Sequence, residues 1–287
     1  MPDAAAVTDP GRVSVDHELP LPGGRVLAWS ETGAGTPVLF LAGAATGRSM
    51  TFGDQHLARL GVRLVTVDRP GIGASTPDPR RSAASTAADL DRLVTRLGGP
   101  LPVVANSQAA VFGLAAAARG IASRLLLVSP ADEVADPRVF ARLPGPVRDV
   151  VTRVREEPEA ARAFFAGLGP DGMERMVLDG ADPADRDVYA DPAFLARYRA
   201  ALREGFANDG AGYATDTLIA MSPWQLDWAA IRVRVRVWFG ERDRVHSPDL
   251  GALLTARIPG AERRVVPGAG GALLWTHAEE ILAAAVG

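Results

Sequence analysis

A chain of 287 residues with a 47% hydrophobic fraction is long enough for one large α/β domain, or for a core with an insertion. Its 31 basic and 34 acidic residues nearly cancel, to a net charge of −3, which offers no basic field for nucleic acid. It contains neither Cys nor Lys, so disulfides, thiolate metal sites, a cysteine nucleophile, a Ser–Lys dyad and Schiff-base chemistry are all excluded.

Residues 1–12 are small and polar and are expected to be disordered. The start, Met1-Pro2-Asp3-Ala4, lacks the basic residues and apolar run of a signal peptide, and no apolar stretch reaches the ~20 residues a membrane span needs. A soluble cytoplasmic protein with no membrane partner is expected. Two strands are predicted at Val13–Glu18 and Arg25–Ser30, about the turn Pro22-Gly23-Gly24. Apolar runs at Pro37–Leu41, Arg63–Val67, Leu101–Ala105 and Arg124–Val128 then alternate with helical patterns at Phe52–Leu60, Ala83–Leu97 and Ala109–Arg119. Fully apolar strands between helices predict a parallel sheet covered on both faces.

The rhythm breaks after Pro130. Residues 131–226 are charged, Pro-rich and helical in pattern, as in Glu157–Leu168 and Pro192–Phe206. They are expected to form a helical cap inserted between two pieces of the core, residues 1–130 and 227–287. Alternation resumes with a strand at Val233–Phe239, a helix around Asp249–Ile258, a strand at Arg263–Val266 and a last helix from Thr276. In that helix Thr276 and Glu279 stand at capping-box spacing.

Ligands of an open parallel sheet gather at the carboxyl ends of its strands. Gly43, Asp68, Ser107, Asp132, Asp243 and Gly271 all fall at such ends. Small residues at 105 and 109 allow a sharp strand-to-helix turn that lifts Ser107 above the sheet; the bland alternative is a serine that merely caps the helix. The loop 41–45 is either an ordinary strand-to-helix turn or one whose Ala44 N–H, paired with that of Gln108, meets a substrate oxygen as an oxyanion hole. The Gly-rich turn after Asp68 lacks the spacing and the Lys of a phosphate loop and reads as scaffolding. Asp243 follows a late strand, where a carboxylate normally orients an imidazole. Asp132 reads as a helix cap or surface charge as readily as a second acid. Of the four histidines, His17 falls in the first strand, far in sequence from the site, His56 on the surface of an early helix, and His277 at the start of the last helix as a structural residue. His246 alone has a prospect of reaching Ser107, although its closeness to Asp243 argues against its both receiving that carboxylate and facing the serine.

The loop Gly43-Ala44, the segment Asp68-Arg69-Pro70-Gly71-Ile72-Gly73-Ala74-Ser75, the elbow Ala105–Ala109, the segment Gly240–Val245 and the terminal Pro267–Leu274 together resemble the α/β-hydrolase superfamily, over essentially the whole chain. The resemblance implies an α/β-hydrolase fold: a mostly parallel eight-stranded sheet flanked by helices, with a helical cap. It also implies no cofactor, no metal, and acyl transfer on a small-molecule ester, lactone, thioester or similar carbonyl. The order Ser107, Asp243, then histidine would complete the triad, but Gly271 stands at the expected histidine position. Ala42 likewise replaces a histidine common before the oxyanion-loop glycine.

Three functions follow from that gap. In the first, an enzyme keeps Ser107 and the oxyanion N–H groups, with hydrolysis slowed, served by His246 or an Asp, or replaced by cyclisation, elimination or isomerisation. In the second, the pocket binds a ligand without chemistry. In the third, the chain is an esterase from which the base has been deleted. Phe164, Phe165, Met173, Met176, Phe206, Tyr213, Met221 and Trp224 are candidate lining for an apolar pocket, or ordinary core of the cap. Oligomeric state is not legible.

Overall fold

The structure is a computed structural model and describes residues 14–287. The expected N-terminal disorder over residues 1–12 therefore lies outside the described residues. Eight strands form one sheet: β1 (Ser14–Pro20), β2 (Val26–Gly33), β3 (Thr36–Leu41), β4 (Val62–Val67), β5 (Leu101–Asn106), β6 (Ala122–Val128), β7 (Arg234–Gly240) and β8 (Glu262–Val266). Their spatial order is β1-β2-β4-β3-β5-β6-β7-β8. β1–β2 and β2–β4 are antiparallel, and every other pair is parallel. The strand set matches the apolar runs to within a few residues at each end.

The central strands are apolar because both faces are covered. From β3 to β7 the residues near the carboxyl ends are fully buried. One face packs Leu39, Val103, Leu125 and Val237 against the helices Ala83–Arg96 and Ala110–Ala118. The other packs Phe40, Val104, Leu126 and Trp238 against the C-terminal helix Ala278–Val286 and against helices from between β6 and β7. The helix Ala83–Arg96 starts where it should: the Ser82 hydroxyl accepts from the Ser85 N–H, and the Ser85 side chain answers in a capping box.

Two expected helices differ. Over Phe52–Leu60 only a 3-10 turn, Asp54–His56, and one α-helical turn, Leu57–Leu60, are formed. Gly53 enters the left-handed region (φ 67°), which a continuous helix does not tolerate. The last helix is split into Leu273–Thr276 and Ala278–Val286 by His277, whose φ of −122° leaves the helical well. The Thr276–Glu279 capping box is not made. The Thr276 hydroxyl folds back toward the carbonyls of Ala272 and Leu273, and Glu279 pairs with Arg59. His17 stacks on Trp29 with ring centroids 4.2 Å apart, and His56 faces Glu279 at 3.4 Å, so neither approaches the carboxyl edge of the sheet.

Between β6 and β7 the chain is helical, from Pro137–Phe140 to Ala211–Met221. Gly205 ends the helix Pro192–Gly205 in direct contact with the backbone of Ala45, where a methyl group would collide. That contact sets this helical segment directly on the loop after β3.

Candidate active site

The end of β5 turns sharply at Ser107, whose φ is 52°. A non-glycine residue in that region is strained and persists only where its surroundings hold it there. Asn106, not Ser107, occupies the cap position before the 3-10 turn Ser107–Ala109, so Ser107 is not a plain helix cap. Asn106 anchors the turn by donating from Nδ2 to the Val128 carbonyl at 2.9 Å, and the Ser107 carbonyl accepts from the Ala131 N–H, also at 2.9 Å. Gly113, further along the following helix, lies against Ala105, so the helix packs close to β5.

The loop after β3 faces this turn. A Cβ placed on Gly43 would lie 3.2 Å from both Asn106 Oδ1 and Ser107 Cβ, which leaves little space for a side chain there. Ala45 follows with φ 54°, and the Ala44 N–H has no backbone acceptor among the described residues. Arg69, only 1% exposed, holds the loop from behind: Nη1 donates to the Ala42 carbonyl at 2.7 Å and Nη2 to the Gly43 carbonyl at 3.1 Å. Its Nε donates to Asp216 at 2.7 Å, and Asp216 also accepts from Arg81. Asp216 belongs to the helix Ala211–Met221, so one buried guanidinium ties the loop to the helical segment. The guanidinium thus stands behind the loop that contains Ala42 and Gly43. Asp68 completes the scaffold by accepting from Arg48 and from the Ala74 N–H.

His246 makes one of the two contacts that the sequence set against each other, the one to Asp243. The backbone N–H groups of Val245 and His246 both donate to Asp243 Oδ1, at 3.1 and 3.2 Å, and fold the chain back on itself. His246 Nδ1 then lies 3.0 and 2.9 Å from the two carboxylate oxygens. Closeness in sequence is what allows the contact. Gly271 supplies the room: a Cβ built there would lie 3.3 Å from His246 Cε1, 3.5 Å from Nδ1 and 3.6 Å from Asp243 Cγ. A side chain at 271 and the ring of His246 therefore compete for one space. Burial alone would raise the Asp243 pKa; the charge and ring N–H of His246, with the two backbone N–H groups, outweigh it and hold the carboxyl below its usual range.

Asp132 is neither a helix cap nor a surface charge. It is 2% exposed and accepts from the Ser247 hydroxyl at 2.9 Å, and its backbone N–H donates to the His246 carbonyl at 3.1 Å. It thus holds the loop that carries His246 instead of facing Ser107. Burial pushes its pKa up to about 6.

Ser107 and His246 line one pocket, with Gly43, Ala44, Asn106 and Gly271 at the sheet end. The helical side is made by Met173, Val177, Tyr189, Phe194 and Tyr198, with Met50 and Trp275 from the core. Of the apolar candidates read from the sequence, only Met173 lines this pocket. Phe165, Tyr213 and Trp224 are buried in the core, while Phe164 is exposed. Tyr189, Phe194 and Tyr198 went unnoticed in the sequence, although their spacing over one helix and its predecessor puts them on adjacent turns. Among the described residues no hydrogen bond joins Ser107 to His246, and no group of three or more His, Asp or Glu side chains is disposed to hold a metal ion. No described helix is long and apolar enough to cross a membrane.

With this geometry in view, a model of the alpha/beta hydrolase family matches residues 38–285. The chain belongs to the alpha/beta hydrolase family. A Synechocystis sp. protein provisionally named a non-heme chloroperoxidase is 26% identical over 272 residues, covering 88% of this chain and 91% of that one. The enol-lactonase from Burkholderia xenovorans LB400 superposes with a TM-score of 0.66 at 20% identity, covering 92% of this chain and 96% of that one. A thermophilic esterase from Thermogutta terrifontis superposes with a TM-score of 0.64 at 23% identity, covering 95% and 96%. At such identities the two structures speak for the alpha/beta hydrolase fold and not for a shared substrate.

Proposed function

We propose that this alpha/beta hydrolase cleaves a small, fairly apolar ester or lactone by acyl transfer to Ser107, with His246 in place of a histidine at 271. The observation that carries this reading is the Asp243–His246 contact, with His246 lining the same pocket as Ser107. An ionised Asp243 accepts a hydrogen bond from Nδ1–H, which fixes the tautomer and leaves the Nε2 lone pair free as the base. Ser107 Oγ attacks the carbonyl carbon while its proton passes to Nε2. The carbonyl oxygen, now negative, meets the N–H groups of Ala44 and Gln108. The C–O bond to the leaving group then breaks, and that oxygen takes the proton from Nε2. Water repeats the sequence on the acyl-enzyme and releases the acid. The helical segment over the site acts as a lid, and its Tyr189, Phe194 and Tyr198 surround the apolar part of the substrate.

A second reading, in which hydrolysis is impaired or gives way to cyclisation, elimination or isomerisation, draws on the lack of a formed Ser107–His246 hydrogen bond. A base–nucleophile contact commonly tightens only when a reacting group is engaged, and for that reason hydrolysis is preferred. The test is intact-mass labelling with a fluorophosphonate probe, beside Ser107→Ala. One adduct per chain, absent from the variant, is expected. No adduct on folded protein would remove the covalent reading and leave non-covalent catalysis or ligand binding.

A further inference from the structure

Most of the hydrogen-bond donors around the Ser107 pocket are already engaged. Thr46 Oγ1 donates to the Gly43 carbonyl at 3.1 Å, Asn106 Nδ2 to the Val128 carbonyl at 2.9 Å and Trp275 Nε1 to the Thr51 carbonyl at 3.2 Å. On the helical side Met173, Val177 and Phe194 bring no donor. Two phenols remain there, Tyr189 and Tyr198, and among the described residues neither hydroxyl has a hydrogen-bond partner.

The two phenols differ in place. Their rings flank Phe194, whose centroid lies 5.6 Å from that of Tyr189 and 5.9 Å from that of Tyr198. The Tyr189 phenol feels the charges of Asp185 and Asp243, whereas the Tyr198 phenol feels Tyr189, Glu174 and Tyr213 instead. Tyr198 therefore stands toward the end of the pocket away from Asp243 and His246. It is 7% exposed, yet its oxygen is not among the unpaired polar atoms that are sealed from contact. The surface that Oη keeps opens into the pocket that Tyr198 lines. Burial raises its pKa, so the hydroxyl stays protonated and donates. When an apolar substrate fills the site, such a hydroxyl loses its water partners, a cost that an acceptor on the substrate removes.

We propose that the Tyr198 hydroxyl is a specificity-determining donor, and that the substrate carries a second, neutral oxygen, a ketone, hydroxyl or ether, at the far end of its apolar part. The inference deepens the ester-hydrolase reading and rests on it for the placement of the reacting carbonyl beside Ser107. That carbonyl takes the N–H groups of Ala44 and Gln108, so the oxygen that meets Tyr198 is a different one. The residues lining the pocket include no Arg, so a carboxylate at the far end would be buried without a counter-charge. They include no Asp or Glu either, so an ammonium fares no better. A neutral acceptor meets neither penalty, and a site with a buried donor rejects the analogue that leaves this donor unpaired.

The test compares kcat/KM for p-nitrophenyl heptanoate with that for its 5-oxo and 6-oxo analogues, in the wild type and in Tyr198→Phe. Phenylalanine keeps the ring beside Phe194 and removes only the hydroxyl. Taking the ratio of oxo ester to plain ester within each protein cancels any general damage that the substitution inflicts. For the better of the two oxo esters this ratio should fall about five- to tenfold in Tyr198→Phe, the scale of one neutral hydrogen bond. An unchanged ratio for both oxo esters overturns the donor role of Tyr198 while the hydrolase reading stands. If no ester is turned over, the hydrolase reading fails by itself, and calorimetric titration with the same esters as ligands decides the donor role. An oxo ester that loses affinity about fivefold in Tyr198→Phe, relative to the plain ester, supports it. Equal affinities in the two proteins, or no binding of either oxo ester to the wild type, overturn it.

Discussion

His246 Nδ1 lies 2.9 Å from Asp243 Oδ2, so the acid and the imidazole it orients come from one loop and stand three residues apart. In the arrangement the terminal segment implies, the imidazole would come from position 271. Here Gly271 leaves the space and His246 fills it from the neighbouring loop.

That relationship predicts how histidines at the two positions combine. Gly271→His alone should lower kcat/KM for a p-nitrophenyl ester, because the new Cβ would stand 3.3 Å from His246 Cε1 and force one ring aside. In a His246→Ala background the same substitution should raise activity, by about tenfold or more, because a freed cavity then accepts the ring beside Asp243. Additive losses in the double variant would contradict the shared space.

Asp243→Asn should leave the protein folded and lower kcat by about 10⁴-fold, since an amide can hold the ring in the wrong tautomer. The acid limb of stability should change as well. A carboxyl held below its usual pKa contributes stability that is present above the ordinary carboxylate range and is lost as pH falls through the folded value. Urea midpoints measured from pH 6 downward should therefore fall less steeply in the variant than in the wild type.

Asp132 carries the opposite sign. Its folded pKa is raised to about 6, so the folded state binds more protons than the unfolded one between the ordinary value of 3.8 and that point. Stability falls as pH rises through this window, by up to about 3 kcal/mol. Asp132→Asn should remove that slope: thermal midpoints between pH 4.5 and 7 should be flatter than in the wild type. Loss of part of the Ser247 contact should lower activity modestly, through the loop that carries His246.

Arg69→Ala should cost about 3–5 kcal/mol, because it takes one partner from a buried ion pair and strands the carbonyls of Ala42 and Gly43. Arg69→Lys should recover part of the stability and little of the activity, since an ammonium cannot reach Asp216 and both carbonyls in the fixed guanidinium geometry. Urea unfolding and ester turnover measured together separate the two effects.

The sheet was legible because strands buried on both faces are written as unbroken apolar runs, as in Leu101–Ala105 and Arg124–Val128. Ser107 was legible because a sharp turn needs small neighbours, and Ala105 and Ala109 supply them. The partner of Asp243 was not, because a spacing of three residues in a loop says nothing about where the backbone turns. Two backbone N–H groups on Asp243 Oδ1 decide it. The pocket wall was hidden for a related reason. Phe165 and Phe194 look alike in a helical pattern, yet Phe194 lines the pocket beside Ser107 while Phe165 packs in the core against Tyr213. Asp132 stayed open between a cap and a second acid because a carboxylate after a strand resembles either until its burial is seen.

If His246 is the base that serves Ser107, its loss slows the reaction of the serine itself. The most direct measurement is the rate of Ser107 modification by a fluorophosphonate, followed by intact mass, in the wild type and in His246→Ala at neutral pH. A fall of at least about 10³-fold is predicted, the scale on which removing a triad base acts. Equal rates in the two proteins would contradict that role for His246.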